Sequence, residues 1–170
     1  MNFGKDYRNT KKMTQNVIRV YADTSVFGGI CDEEFAFASR KFFEQVKSGQ
    51  FNLVASAIVQ NEIAGAPERV KEFFNEMLAF AEIADISKEI LQLRDAYLEA
   101  GILTPKYSDD ALHVALATVS GCSLIVSWNF KHNVHFEKIS LYNAVNTLKG
   151  YSHIDIFSPF EVINYEDQEI

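Results

Sequence analysis

Short apolar segments alternate along the chain with longer segments in which apolar positions repeat at helical spacing. The short segments have the length and composition of buried strands, and they lie at 17–22, 52–55, 81–86, 123–127 and 154–157. The longer segments predict helices at 35–47, 56–64, 68–79, 87–100, 108–119 and 139–149. Strands that are separated by helices favour the α/β class with a central parallel sheet.

Phenylalanine is abundant on the predicted helices. Two adjacent pairs, Phe42 with Phe43 and Phe73 with Phe74, lie on amphipathic segments. Side chains of this size at such positions bury a large apolar area, so we expect them in the core or on a dimer face. Directly after the first strand, at Asp23, the pattern predicts a turn into either a loop or a helix.

No linker or repeat interrupts the alternation, so we predict one domain over residues 17–165. A polar arm, residues 1–16, precedes it, and an acidic tail, residues 166–170, follows it. The arm carries four basic side chains and one acidic side chain. Because chain termini are often unordered, we expect a solvated arm, with contact to phosphate as the less favoured alternative.

Charge and cysteine content narrow the class of protein. The 170 residues have a formal net charge of −7, so binding of nucleic acid through a basic surface alone is not expected. A nuclease that binds divalent cations through carboxylates remains compatible with this charge. Cys31 and Cys122 lie far apart and match no metal-ligand spacing. No apolar run is long enough to span a membrane, and we expect a cytoplasmic protein.

Polar residues follow the predicted strands at the points where the strands end. Asp23-Thr24-Ser25 follows the first strand, Ser127-Trp128-Asn129 follows the fourth, and Asp109-Asp110 begins the Ala-rich helix that precedes the fourth strand in the sequence. Glu62 lies in the short helix after the second strand. The carboxyl ends of parallel strands meet at one edge of a sheet, so we expect these groups to lie close together. Their oxygen ligands suit Mg²⁺ or Mn²⁺.

Four segments in this order resemble a PIN domain, over roughly residues 18–163. They are the strand with Asp23-Thr24-Ser25-Val26-Phe27, Val-Gln-Asn-Glu62-Ile, Asp110-Ala-Leu-His-Val-Ala-Leu-Ala, and Leu-Ile-Val-Ser-Trp-Asn129. The resemblance implies a three-layer α/β/α sandwich with a central parallel sheet of five or so strands. It also implies a Mg²⁺- or Mn²⁺-dependent ribonuclease similar to the VapC toxins of toxin–antitoxin pairs, with RNA as substrate, a cognate antitoxin as partner and a homodimer as the assembly.

The same resemblance implies that Asp23, Glu62, Asp110 and Asn129 are the catalytic and metal-binding residues. The family usually has Asp where this chain has Asn129, and an uncharged amide oxygen binds a hard cation more weakly than a carboxylate does. We expect Asp23 and Asp110 to bind the metal directly. Glu62 is expected to complete the metal shell through water or to orient the attacking water.

Several neighbours of these residues are candidates for supporting roles. Thr24 and Ser25 are expected to hydrogen-bond the carboxylates, and Asp109 is a further acid that supports the site. Trp128, Lys131 and His132 are candidate RNA contacts. For Trp128, packing beside the sheet edge is the favoured alternative. His113, one turn beyond Asp110, is expected to be an interior polar group with a satisfied hydrogen bond.

Two other functions remain open from the residues. Loss of the fourth carboxylate at Asn129 is compatible with a PIN-like binding module that has a weakened metal site. A phosphatase or phosphoacceptor domain with Asp23 as the nucleophile is the least favoured function. A haloacid-dehalogenase-like site would have a second Asp two residues after the first, and this chain has Ser25 there.

Overall fold

Five parallel strands form the centre of the computed structural model, which describes residues 17–130 and 135–164. They are β1 (Ile18–Ala22), β2 (Phe51–Ser56), β3 (Ala81–Ala84), β4 (Leu124–Val126) and β5 (Asp155–Phe157). The strands are arranged in the order β3-β2-β1-β4-β5. The chain therefore builds the sheet from β1 outward to β3 and then continues on the other side of β1. The predicted α/β class and central parallel sheet are confirmed.

Eight α-helices connect or flank these strands within the described ranges. They are α1 (Thr24–Gly29), α2 (Ala36–Lys47), α3 (Ala57–Ile63), α4 (Glu68–Met77), α5 (Lys88–Glu99), α6 (Ser108–Val119), α7 (Phe136–Leu148) and α8 (Pro159–Val162). Helices α1 to α4 and α8 contact one another, and α5 to α7 form a second group. The two groups are the outer layers of the expected α/β/α sandwich.

Local capping explains where several helices begin. The side chains of Asp23, Ser56 and Ser87 accept hydrogen bonds from backbone N–H groups in the first turns of α1, α3 and α5. Each cap satisfies a donor that the helix itself leaves unpaired. The capping at Asp23 resolves the alternative after β1 in favour of a short helix.

Most bounds agree with the sequence prediction to within two residues, and two helices differ more. Helix α7 begins at Phe136, three residues before the predicted start at Ile139. Helix α8 was not predicted, although its capping box between Ser158 and Glu161, with Pro159 in the first turn, is a recognisable start signal. A four-residue helix is too short to show an apolar repeat, which is why periodicity alone missed it.

The core lies on both sides of the sheet. Helix α6 is buried from Ala111 to Thr118, because its small and aliphatic side chains let it pack closely. On the other side, Phe42, Phe43 and Phe74 are buried, and Phe73 is partly buried against them. These four phenylalanines therefore contribute to the core. In the described part of the chain, no helix is long and apolar enough to cross a membrane.

The topology determines where a site can form. The chain order reverses between β1 and β4, which are neighbours in the sheet. In open α/β sheets, ligands bind beyond the carboxyl ends of the strands at such a reversal. Asp23 follows β1 there, and Ser127 follows β4.

Gly29 and Gly28 in α1 provide a matched test of packing at this edge. A Cβ atom on the buried Gly29 would lie 2.5 Å from Ser39 Oγ and 2.7 Å from Trp128 Nε1, whereas a Cβ on the exposed Gly28 would meet nothing within 4 Å. We expect Gly29→Ala to lower the free energy of unfolding by about 1–3 kcal/mol through overpacking. Urea denaturation measures the change.

Gly28→Ala is the control. It should be neutral or should stabilise the protein by up to about 1 kcal/mol, because Ala favours the helix more than Gly does. Equal stabilities of the two variants would contradict the close packing of α1 against Ser39 and Trp128.

Candidate active site

Asp23 is held at the end of β1 by hydrogen bonds to both carboxylate oxygens. Oδ1 accepts from the backbone N–H of Ser25 at 3.1 Å and from the Ser25 hydroxyl. Oδ2 accepts from the hydroxyl of Ser127, at the end of β4. The side chain is buried, with the residue only 4% exposed. The two serines therefore orient a carboxylate that would otherwise be costly to bury.

Asn129 connects the end of β4 to α6. Its side-chain Nδ2 donates to Asp110 Oδ1 at 2.9 Å, and its backbone N–H donates to Ser127 Oγ at 2.9 Å. Because Ser127 also donates to Asp23, a continuous hydrogen-bonded path leads from Asp23 through Ser127 and Asn129 to Asp110. The amide nitrogen is thus used on Asp110, and the amide oxygen is the Asn129 atom that suits a cation.

Glu62 projects from the last turn of α3 and contacts two other elements. Its Oε2 accepts from the Thr24 hydroxyl of α1, and its Oε1 lies 3.3 Å from Nε2 of His113 on α6. The Glu62 side chain is 34% exposed, so the carboxylate is partly open to solvent. His113 is buried, and its Nδ1 is 2.7 Å from the Tyr21 hydroxyl.

The charges of the site alter two pKa values. Burial raises the pKa of Glu62, but the hydrogen bond and positive charge of His113, with the Thr24 hydrogen bond, outweigh it and lower the pKa below 4.5. Burial lowers the pKa of His113, but the hydrogen bond to Glu62 and the charges of Asp23, Glu62 and Asp110 raise it above 6.5. All three carboxylates therefore act electrostatically on one buried imidazole.

The oxygen atoms at this edge of the sheet are of the type that divalent metals such as Mg²⁺ prefer. Within 17–130 and 135–164, no three His, Cys, Asp or Glu side chains lie close enough to form a metal cluster. Mg²⁺ does not require such a cluster, because it commonly binds one or two carboxylates together with waters and substrate phosphate oxygens. Asp23 and Asp110 are two such carboxylates on one hydrogen-bonded path, so their chemistry fits this mode of binding.

The structure places the predicted supporting residues in different environments. Thr24 contacts Glu62, and Ser25 contacts Asp23, as described above. Asp109 is exposed in the first turn of α6. The candidate RNA contacts Lys131 and His132 lie outside the described residues.

Trp128 packs beside the edge of the sheet, which was the favoured expectation for this residue. The residue is 7% exposed, its Nε1 donates to Ser39 Oγ at 2.8 Å, and its ring stacks on Phe35 with 4.2 Å between ring centroids. A base needs an open ring face for stacking, so the proposed RNA contact of Trp128 is not compatible with this burial. The alternative of packing beside the sheet edge is the one that the structure shows.

Sequence reasoning assigned no role to Ser127 or Tyr21. Ser127 is recognisable as the first polar residue after β4, two positions before Asn129. Tyr21 was visible as an aromatic hydroxyl in an otherwise apolar strand, and a buried tyrosine hydroxyl usually has a partner. Neither signal identifies that partner, because the contacts join residues 104 and 92 positions apart.

Comparisons with known proteins support the architecture. No family model matches the sequence, and no curated protein matches it. A chain of the crystal structure of VapBC2 from Rickettsia felis, bound to a DNA fragment from their promoter, superposes with a TM-score of 0.54. The match covers 83% of this chain and 98% of that chain. The fold is PIN-like. At 14% sequence identity, the likeness concerns the fold alone.

The Glu62–His113 contact predicts a pH dependence of stability in EDTA. The raised pKa of His113 gives stability that is complete below 6.5 and is lost as the pH rises through that raised pKa. The lowered pKa of Glu62 gives stability that is complete above 4.5 and is lost as the pH falls through it. We therefore expect Glu62→Gln to destabilise the protein most between pH 4.5 and 6.5, measured by urea denaturation.

Glu82→Gln is the matched control. Glu82 has a lowered pKa because it pairs with Arg19 at 2.9 Å, and an arginine stays charged throughout this range. The effect of Glu82→Gln should therefore persist above neutral pH. A Glu62→Gln effect that also stays constant toward alkaline pH would contradict the pairing of Glu62 with a titrating histidine.

Proposed function

We propose that this protein is an endoribonuclease that hydrolyses RNA phosphodiester bonds with Mg²⁺ or Mn²⁺, as the toxin of a toxin–antitoxin pair. The observation that carries the proposal is the path from Asp23 through Ser127 and Asn129 to Asp110. It lies where the strand order of a PIN-like sheet reverses, and it holds two carboxylates in fixed orientations. Two oriented carboxylates at this edge are a binding site for a hard cation.

Asp23 and Asp110 are the residues that would hold the metal. When bound, the ion would lower the pKa of a coordinated water and neutralise charge on the phosphate. Ser25 and Ser127 keep the Asp23 carboxylate aimed at the edge of the sheet through their hydroxyl groups. Asn129 donates to Asp110 through its amide nitrogen. In this proposal its amide oxygen would position the phosphate or a water.

Glu62 acts on the attacking water in this proposal. Its lowered pKa keeps the carboxylate ionised at neutral pH, so that it accepts a hydrogen bond from water. Its partial exposure gives water access, while Thr24 and His113 restrict its orientation. This division of roles leaves the metal to Asp23 and Asp110, and it does not require three ligands of the His, Cys, Asp or Glu type, which are not found together within 17–130 and 135–164.

The proposed partners follow from the proposed activity. A ribonuclease that cleaves cellular RNA must be inhibited, and a cognate antitoxin that covers the acidic edge would do so. The structural neighbour is itself a VapBC2 complex.

We further propose that the protein is cytoplasmic and homodimeric. Large apolar side chains on α7 are exposed, with Phe136 and Leu148 each 84% exposed, and light scattering would test the dimer.

A binding module is the second candidate function, and Asn129 is the observation that favours it. An amide next to Asp110 reduces the negative charge of the site relative to a fourth carboxylate. Weaker attraction for a cation follows from this lower charge. In that case the same edge would bind RNA or protein without cleaving a bond.

Cleavage assays on purified protein without antitoxin test the nuclease function. A mixed RNA substrate is incubated with Mg²⁺, Mn²⁺ or EDTA. We expect metal-dependent cleavage in the wild type and a loss of about 100-fold or more in Asp23→Asn and in Asp110→Asn. The expected loss is large because changes to groups that merely support a metal ligand already cost about 10–100-fold.

Asp155→Asn is the control variant, because Asp155 is an exposed acid at the start of β5, on the opposite edge of the sheet. Its activity should equal that of the wild type, and circular dichroism should show that all three variants fold. Full activity of Asp23→Asn and Asp110→Asn would refute the site. No cleavage by the wild type, with no Mn²⁺ binding by calorimetry, would favour the binding module.

A further inference from the structure

We propose that His113 is a positioning residue that, with Tyr21 and Ser56, holds the Glu62 carboxylate in its working orientation. This inference rests on the proposed nuclease function. His113 is buried and lies one turn from Asp110 on α6, so it does not need to touch RNA to affect the reaction. Its influence reaches the site through Glu62.

A series of buried hydrogen bonds leads from Ser56 through Tyr21 to the Nδ1 atom of His113. Ser56 is the N-cap of α3, and its Oγ accepts a hydrogen bond from the backbone N–H of Val59 at 3.4 Å. Ser56 Oγ lies 2.8 Å from the Tyr21 hydroxyl, and that hydroxyl lies 2.7 Å from His113 Nδ1. His113 Nε2 then faces Glu62 Oε1 at 3.3 Å.

This series of hydrogen bonds determines which nitrogen atoms of the His113 imidazole carry protons. In the neutral form, Ser56 donates to Tyr21, Tyr21 donates to Nδ1, and the remaining proton lies on Nε2. In the charged form both ring nitrogens carry protons, and Tyr21 turns its hydroxyl toward Ser56. Nε2 therefore donates to Glu62 in both forms, and the positioning role does not require His113 to change its charge.

The same series of hydrogen bonds connects β1, α3 and α6, the elements at which the three carboxylates are placed. Tyr21 lies two residues before Asp23 at the end of β1. His113 lies three residues after Asp110 on α6. Ser56 caps the helix that carries Glu62. Loss of one of these hydrogen bonds would thus affect how β1, α3 and α6 are placed at the edge of the sheet.

The Glu62 carboxylate is held on both sides by these contacts. Thr24 donates to Oε2, and His113 donates to Oε1. A glutamate has several rotatable bonds, and a partly exposed one adopts many orientations unless it is restrained. Restraint of a reacting group by locked neighbours is what a precise site requires.

Two substitutions separate the contacts of His113. The amide nitrogen of Gln in His113→Gln lies near the position of Nε2 and can still donate to Glu62. The amide nitrogen of Asn in His113→Asn lies near the position of Nδ1 and retains a partner for Tyr21 only. Single-turnover and steady-state cleavage of RNA with Mn²⁺ are measured for both variants.

We expect His113→Asn to lower kcat by about 10-fold or more with little change in KM, because the contact with Glu62 is lost. His113→Gln should recover most of kcat. If His113 were only a filler of the core, the two variants would be affected equally, and that result would overturn the proposal.

A second measurement does not depend on activity. Urea denaturation in EDTA is carried out on His113→Asn, on Glu62→Ala and on the double variant, because alanine removes the oxygen that accepts from Nε2. If the two side chains interact, the double variant should lose less stability than the sum of the single losses. Additive losses would overturn the contact. If the wild type cleaves no RNA, the nuclease proposal fails, and this cycle alone decides whether His113 holds Glu62.

Discussion

Parallel pairing of the strands is the constraint on which the rest of the structure depends. Because all five described strands run in the same direction, every carboxyl end lies at one edge, and the chain must leave the sheet there each time. This arrangement collects acidic side chains from distant parts of the sequence. Like charges in one place repel, so each carboxylate needs its own hydrogen-bond donors.

Uncharged hydroxyl and amide side chains, together with one histidine, supply those donors. Asp23 is paired with two serines, Asp110 with Asn129, and Glu62 with Thr24 and His113. Hydroxyl and amide groups orient a carboxylate without cancelling its charge. The edge therefore keeps the negative potential that a divalent cation needs, while each acid remains satisfied in the absence of a ligand.

Two networks of buried side-chain hydrogen bonds lie in the core beneath this edge. The chain through Tyr21 and His113 ties β1 to α6 beneath the carboxylates. A second one joins the other helices of that layer, because the Tyr97 hydroxyl of α5 lies near Thr118 of α6 and donates to Asn146 of α7 at 2.5 Å. Fully satisfied networks of this kind favour one arrangement of the helices over others. The precision of the site thus has its origin in the packing of the layer behind it.

The alternation of apolar segments was enough to predict the α/β class, the parallel sheet and most of the helices, and the acids near the strand ends can be read directly from the sequence. Those features depend on local periodicity and on capping residues such as Ser56 and Ser87. The burial of Trp128, the short helix α8 and the partners of each carboxylate were decided only by the tertiary structure. Ser127 reaches Asp23 across 104 positions, and Tyr21 reaches His113 across 92. A hydrogen bond forms only when donor and acceptor lie about 3 Å apart, and only the packed sheet and helices set the distance between residues so far apart in the chain.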